Sequence, residues 1–137
     1  MMSKVFIDTN ILVYCIDDNN IKKKNKCRTI LHQIESENVG VISTQVLQEY
    51  YVTLTKKFTV DPILVKKIID TFQHFEIVTI SFSIIKDAID CHIVNKISFW
   101  DSLIITCAKY AECEKILTED LNHMQVLDGV QIINPFL

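Results

Sequence analysis

The amino-acid sequence alternates between short apolar runs and longer stretches that have the periodicity of amphipathic helices. The apolar runs predict strands at residues 4–8, 40–42, 76–80, 115–118 and 130–133. The stretches between them predict helices at residues 9–17, 21–37, 43–57, 61–74, 82–95 and 98–112. Parallel strands need crossover connections, and these place helices on both faces of the sheet. We therefore expect an α/β fold, a three-layer α/β/α sandwich with a mainly parallel central sheet.

Two positions carry local signals for helix ends. Asp61 before Pro62 combines an N-cap residue with a proline in the first helical turn. Gly40 follows the end of a helical pattern, which is a common place for a helix to stop.

The composition limits the class of protein. A chain of 137 residues, 49% of them hydrophobic, fits one domain over residues 1–137 with its own core. Only two glycines and two prolines occur, which argues against disorder and against a loop-rich β architecture. We expect no transmembrane helix and no signal peptide. The five cysteines form no C-x-x-C pair, and an odd number cannot all pair within one chain, so we expect a protein of the reducing cytoplasm.

The charge pattern argues against a protein that simply coats nucleic acid, because the net charge is −3. Basic residues are nevertheless concentrated in two segments: Lys22, Lys23, Lys24, Lys26 and Arg28 in the first, and Lys56, Lys57, Lys66 and Lys67 in the second. Such segments suit a phosphodiester backbone held beside an acidic centre. The alternative for either segment is a solvated helix face.

Four acidic residues stand far apart in the sequence, at positions that this fold brings to one edge: Asp8, Glu49, Asp101 and Asp120. Asp8 and Asp120 follow predicted strands, and the carboxyl edge of a parallel sheet is where ligands bind. Asp101 lies in the first turn of a predicted helix, and Glu49 lies inside another, beside its apolar face. Because neighbouring carboxylates repel each other, such a cluster indicates a metal site. Oxygen ligands favour Mg²⁺ or Mn²⁺ over Zn²⁺.

Each acid also has a simpler interpretation. Asp8 and Asp120 fit helix N-caps, and Asp101 fits the acidic position of a capping box that begins at Ser98. Glu49 lies too far inside its helix for capping, so its alternative is an exposed or paired charge.

The same residues belong to segments that resemble the PIN-domain ribonucleases, specifically the VapC-like toxins of type II toxin–antitoxin systems. The matching segments are FIDTNILVY at residues 6–14, ISTQVLQEY at 42–50, FWDSLI at 99–104, LTEDL at 117–121 and DGVQIINPF at 128–136. Each segment alone is weak evidence, but their order and spacing extend the resemblance over the whole chain.

The resemblance implies an endoribonuclease that depends on Mg²⁺ or Mn²⁺, forms a homodimer and is held inactive by a cognate antitoxin. By position, Asp8, Glu49, Asp101 and Asp120 correspond to the family's metal-binding acids, with Asp8 and Asp101 as the main ligands. Asn10 and Thr118 correspond to hydrogen-bonding supports, and Glu119 competes with its neighbour Asp120 for a place in the metal shell. The expected products carry a 3′-hydroxyl and a 5′-phosphate. Two alternatives stay open: a non-catalytic binding module with the PIN fold, and a nuclease that acts on DNA.

Overall fold

The computed structural model describes residues 2–137 and contains six strands and six α-helices. The strands are β1 Lys4–Ile7, β2 Val39–Ser43, β3 Glu76–Val78, β4 Lys115–Leu117, β5 Val126–Leu127 and β6 Val130–Ile133. The helices are α1 Thr9–Tyr14, α2 Ile21–Glu37, α3 Thr44–Lys56, α4 Pro62–Asp70, α5 Phe82–Asn95 and α6 Phe99–Tyr110. The predicted domain begins at Met1, which lies outside the described residues.

The strands form one sheet in the order β3-β2-β1-β4-β6-β5. Every pairing is parallel except that of β5 with β6. Helices cover the sheet, which confirms the predicted α/β architecture with a mainly parallel sheet. β1 is central because its residues are apolar on both sides: Phe6 and Ile7 are completely buried. Its neighbours are β2 and β4, so the residues that follow β1 and β4 lie side by side at one edge.

The first three residues of β1 pair with β2, and the backbone amide of Asp8 continues the pairing with β4 by donating to the carbonyl of Leu117 at 3.0 Å. The chain then turns directly into α1. This short link fixes Asp8 at the carboxyl edge of the sheet, between the end of β1 and the end of β4.

Several predicted boundaries differ from the structure. α1 stops at Tyr14 instead of residue 17, and the helix predicted at 61–74 ends at Asp70 and continues as a 3₁₀ turn, Thr71–His74. Asp61 does cap α4, since its carboxylate accepts from the amide of Ile63 at 2.8 Å. α2 ends at Glu37 as predicted, and Gly40 lies within β2, which contains the predicted strand 40–42. A Cβ at Gly40 would come within 2.8 Å of the Phe75 ring, so close packing explains this glycine.

The short strand β5 was not predicted. It pairs with β6 through a two-residue turn of Asp128 and Gly129, both with positive φ. Asp-Gly is the usual sequence of a tight hairpin turn, so this hairpin carried a local signal. β5 itself has only two residues, too few to show the sequence pattern of a strand.

None of the helices within residues 2–137 is long and apolar enough to cross a membrane. In the same part of the chain the five cysteines are all free thiols.

Candidate active site

All four predicted acids line one cavity of about 300 Å³. Asp8 follows β1, Asp120 follows β4, Glu49 projects from α3 and Asp101 from the first turn of α6. The fold therefore brings together side chains that are up to 112 positions apart, from Asp8 to Asp120. Their meeting at the carboxyl edge of the sheet follows from the placement of β1 beside β4.

Asp8 is the most buried of the four, with 7% of its surface exposed. One carboxylate oxygen accepts from the amide of Thr9 at 2.7 Å, and the other accepts from the hydroxyl of Thr118 at 2.8 Å. Asp8 is thus the N-cap of α1, as its simpler interpretation proposed, and it also lines the cavity. Burial raises the pKa of Asp8 to about 6, with smaller contributions from the charges of Asp120 and Glu49, although both hydrogen bonds oppose the shift.

Glu49 lies on the exposed side of α3, at the rim of the cavity. Its Oε1 accepts a hydrogen bond of 2.8 Å from the hydroxyl of Thr9. Thr9 therefore links two acids, because its amide binds Asp8 while its hydroxyl binds Glu49. Capping does not account for Glu49, and its contact with Thr9 turns it toward Asp8.

Asp120 is held by two neighbours of Asp8. The side-chain amide of Asn10 donates to Oδ2 of Asp120 at 3.0 Å, and the backbone amide of Asp120 donates to the hydroxyl of Thr118 at 3.1 Å. Burial raises the pKa of Asp120, as do the charges of Asp101 and Glu119, while the bond from Asn10 opposes the shift. No helix follows Asp120, so the capping interpretation of this residue is wrong.

Asp101 occupies the first turn of α6, where its backbone amide donates to the hydroxyl of Ser98 at 3.0 Å. This is one half of the capping box that its simpler interpretation describes. The reciprocal bond, from the backbone amide of Ser98 to the Asp101 carboxylate, does not occur among the hydrogen bonds of the described residues. The carboxylate instead lines the cavity.

Glu119 differs from Asp120 because both of its carboxylate oxygens are already engaged. Oε1 accepts from the hydroxyl of Tyr14 at 2.5 Å, and Oε2 contacts Nζ of Lys23 at 2.9 Å. Burial alone would raise the pKa of Glu119, but the hydrogen bonds from Tyr14 and Lys23, together with the Lys23 charge, lower it overall. Nζ of Lys23 also lies 4.6 Å from the centre of the Phe136 ring. Glu119 also lines the cavity, but these contacts favour Asp120 over Glu119 as the fourth candidate metal ligand.

The basic segments contribute little to the cavity wall. In the first, Lys23 pairs with Glu119, and Lys24 pairs with Asp18. Within residues 2–137, Lys57 is the one lysine or arginine that lines the cavity. Lys57 is the C-cap of α3, about two turns beyond Glu49. The sequence pointed to its segment but did not distinguish Lys57 from Lys56.

Two buried side-chain oxygens at the cavity lack a hydrogen-bond donor in the described part of the chain: Oδ1 of Asn10 and Oε1 of Gln45. An unpaired buried acceptor costs roughly 1–3 kcal/mol. Sequence reasoning placed Asn10 at the site by resemblance and missed Gln45, whose only signal was a polar residue in the first turn of a helix with a buried face.

The donor set fits a hard cation, because carboxylate and amide oxygens dominate the polar wall and no thiol or imidazole from residues 2–137 belongs to it. In residues 2–137, however, no three acidic, histidine or cysteine side chains converge into a ready-made metal cage. Three of the carboxylates accept hydrogen bonds instead, Glu49 from Thr9, Asp120 from Asn10 and Asp8 from Thr118. Mg²⁺ retains several waters and needs only one or two carboxylates, so the arrangement is compatible with that ion.

A family model for the PIN domain matches residues 5–128. No curated protein sequence matches the chain. Among solved structures, a toxin–antitoxin complex from Klebsiella pneumoniae is similar, with a TM-score of 0.70 and 19% identity over 96% of this chain and 97% of that one. VapBC2 from Rickettsia felis, bound to a promoter DNA fragment, gives a TM-score of 0.71 and 18% identity over 94% and 96% of the two chains. Mycobacterium tuberculosis VapC20, a toxin that cleaves the sarcin–ricin loop, gives 0.66 and 12% over 82% and 86%.

Proposed function

The chain belongs to the PIN domain family, and on that premise we propose that it is a metal-dependent endoribonuclease, the toxin of a toxin–antitoxin pair. The match to the PIN-domain family model confirms the predicted family membership. The single observation that carries the proposal is the convergence of Asp8, Glu49, Asp101 and Asp120 on one cavity. A core-facing role would not require four acids from four separate segments to meet, and their mutual repulsion would disfavour it.

We propose that Asp8 and Asp101 hold Mg²⁺ or Mn²⁺, with Glu49 acting through water and Asp120 orienting water or serving a second ion. Bound there, the ion supplies positive charge that stabilises the phosphodiester transition state and lowers the pKa of water. The unpaired oxygen of Asn10 fits this environment, since it can accept a hydrogen bond from an ordered water.

The protein's own residues orient the reacting groups. Thr118 fixes Asp8 and Asp120 through one hydroxyl, which donates to the first and accepts from the backbone amide of the second. Thr9 fixes Glu49. We assign Lys57 to the RNA backbone, where its charge pairs with a phosphate beside the acids. Val13, Phe58 and Ile104 form part of the apolar wall of the cavity.

The direct test is cleavage of a defined single-stranded RNA by the purified protein with Mg²⁺ or Mn²⁺, with excess EDTA and with the Asp8→Asn variant. We expect products with 3′-hydroxyl and 5′-phosphate ends, and no cleavage with EDTA or with Asp8→Asn. Asp70→Asn is the matched control, because Asp70 is an exposed aspartate at the end of α4, outside the cavity. Undiminished metal-dependent cleavage by the Asp8→Asn protein would sink the assignment.

The same assay separates the alternatives. A single-stranded DNA of the same sequence, cleaved in preference to the RNA, identifies a DNA nuclease. RNA binding without products at any metal concentration identifies a non-catalytic binding module.

We propose that an antitoxin and a second copy of the chain cover the exposed apolar faces. α3 and α4 expose Tyr51, Val52, Ile63 and Leu64, which suits an apolar segment of an antitoxin. α5 exposes a stripe with helical spacing, Phe82, Ile85, Ile89 and Ile93, which suits a homodimer. The similarity to a toxin–antitoxin complex supports the proposal of an antitoxin partner. We propose that the chain acts as one nuclease domain over residues 1–137. Its free thiols suit action in the cytoplasm.

These partners are testable separately. Light scattering of the purified chain should give the mass of a dimer, and Ile89→Glu together with Ile93→Glu should give a monomer that still cleaves RNA. Co-expression with the product of the neighbouring reading frame should yield a stable complex with suppressed cleavage. A monomer at all concentrations, or a neighbour that neither binds nor inhibits, contradicts the corresponding proposal.

A further inference from the structure

Trp100 has an unusual position for the chain's one tryptophan. It directly precedes Asp101 and lines the acid cavity, yet 63% of its surface is exposed. The other aromatic side chains that line this cavity in residues 2–137, Tyr14 and Phe58, are half-buried. Phe99 packs edge-to-face against the indole, with ring centres 5.3 Å apart and planes at 72°. The indole therefore packs against Phe99 while most of the residue's surface stays open.

Trp100 also lines a second cavity, of about 410 Å³. This second cavity is mainly apolar, with Ile80, Phe99 and Leu103 in its wall. Gln45 lines both cavities, and its amide contacts the carbonyl of Trp100 at 3.4 Å. Trp100 is thus shared by an acidic cavity, which suits a metal and a phosphate, and an apolar cavity, which suits neither.

We propose that Trp100 is a stacking platform for a nucleobase of single-stranded RNA, the base next to the phosphate that is cleaved. This proposal rests on the proposed nuclease function and adds a substrate-binding subsite to it. A nucleotide joins an anionic phosphate to a flat base with an apolar face, and the two cavities that meet at Trp100 offer one environment for each part. Aromatic side chains bind unpaired bases by stacking, and the interaction tolerates different bases. A paired base presents no free face, so the subsite selects single strands and loops.

The intrinsic fluorescence of the chain comes from Trp100 and the tyrosines, so stacking can be observed directly. The Asp8→Asn protein is titrated in Mg²⁺ with a mixed-sequence RNA of 12 nucleotides, and with a ribose-phosphate oligomer of equal length that lacks bases. We expect the RNA to quench the tryptophan emission and the abasic oligomer to leave it nearly unchanged. Equal quenching by both oligomers would overturn the proposal.

Variants measure the contribution of the indole. Binding of fluorescein-labelled RNA to the Asp8→Asn protein is followed by anisotropy, with and without further substitution. Trp100→Ala should weaken binding at least about fivefold, and Trp100→Phe should recover most of the affinity. The dependence of affinity on salt should keep its slope, because stacking neutralises no phosphate. Tyr110→Ala is the matched control, since Tyr110 is an exposed aromatic at the other end of α6, outside both cavities.

In the otherwise unchanged protein, Trp100→Ala should raise KM for RNA more than it lowers kcat, while the melting temperature stays within the range of the Tyr110→Ala control. RNA cleavage by the unsubstituted protein, combined with unchanged affinity of Trp100→Ala, overturns the stacking proposal and leaves the nuclease proposal standing. Absence of both cleavage and RNA binding in the unsubstituted protein overturns both.

Discussion

Asn10 and Asp120 are joined by a hydrogen bond of 3.0 Å, from the side-chain amide of the first to Oδ2 of the second, although 110 positions separate them in the sequence. The bond ties the first turn of α1 to the loop after β4. It therefore fixes an exposed carboxylate whose own loop has little packing to hold it.

Asn10→Ala should lower the rate of RNA cleavage by about 10- to 100-fold, because loss of such a supporting bond costs this much in metal sites. The bond also stabilises the ionised form of Asp120, so its loss should move the acidic limb of the pH–rate profile to higher pH. Asn19→Ala is the control, because Asn19 is exposed and lies outside the cavity. Equal pH–rate profiles for the two variants would contradict this role.

Asp8 makes the stability of the metal-free protein depend on pH. Its pKa rises from 3.8 to about 6 on folding, so the folded state retains a proton that the unfolded chain releases. The stabilising contribution of protonated Asp8 is complete below about pH 4 and is lost as the pH rises through 6. Asp8→Asn should therefore raise the free energy of unfolding at pH 7 by up to about 3 kcal/mol and change it little at pH 4. Urea denaturation in EDTA at the two pH values measures this difference, and an equal effect at both would contradict it.

Glu119 and Asp120 should separate in their effects. Glu119→Gln weakens the contacts with Lys23 and Tyr14, so we expect a stability loss of about 1 kcal/mol and nearly normal cleavage. Asp120→Asn should instead reduce cleavage at least about 10-fold with little change in melting temperature. Parallel measurements of kcat and thermal unfolding test the pair. Loss of cleavage in Glu119→Gln with retention in Asp120→Asn would reverse the assignment.

Lys57 and Lys56 provide a matched pair of neighbouring lysines, of which only Lys57 lines the cavity. Lys57→Ala should weaken RNA binding and reduce the slope of log affinity against log salt by about 0.7, the value for one phosphate contact on a single strand. Lys56→Ala should leave the slope unchanged. Binding titrations at several salt concentrations measure both slopes. Equal slopes for Lys57→Ala and Lys56→Ala would contradict a phosphate contact by Lys57.

Gly40 and Gly129 should respond differently to alanine. Gly40→Ala would place a Cβ within 2.8 Å of the Phe75 ring, so we expect a loss of about 1–3 kcal/mol from overpacking. At Gly129 nothing lies within 4 Å, but φ is +82°, so the loss should be about 1 kcal/mol from backbone strain alone. Chemical denaturation measures both. Adding Phe75→Leu should recover stability in the Gly40→Ala variant, because it removes the crowded ring. The same addition should not recover stability in the Gly129→Ala variant.

The sequence predicted the α/β architecture and the four acids because both depend on regular features. Buried strands leave continuous apolar runs, and the carboxyl ends of adjacent parallel strands meet at one edge, which is why Asp8 and Asp120 were recognisable. The sequence left undetermined the features that depend on contacts between side chains distant in the chain. Three features depend on packing that no local pattern encodes: the ion pair between Glu119 and Lys23, the exposure of Trp100, and the position of Lys57 on the cavity wall.

Gly40 illustrates the same limit in the fold. The predicted strand 40–42 includes Gly40, but only the position of Phe75, 35 residues later, shows why this position of β2 is a glycine. The unpredicted hairpin at Asp128 and Gly129 is different, because its turn sequence was a usable local signal.

The central position of β1 determines when, during synthesis of the chain, the proposed nuclease site is completed. A nascent chain that ends at α6 already contains Asp8, Glu49 and Asp101, but it lacks Thr118 to orient Asp8 and lacks β4 to flank β1. Such long-range pairing forms late and slowly in folding. Nuclease activity should therefore appear only after synthesis has passed residue 120. An antitoxin made at the same time then has an interval in which to bind the new chain before that chain becomes active.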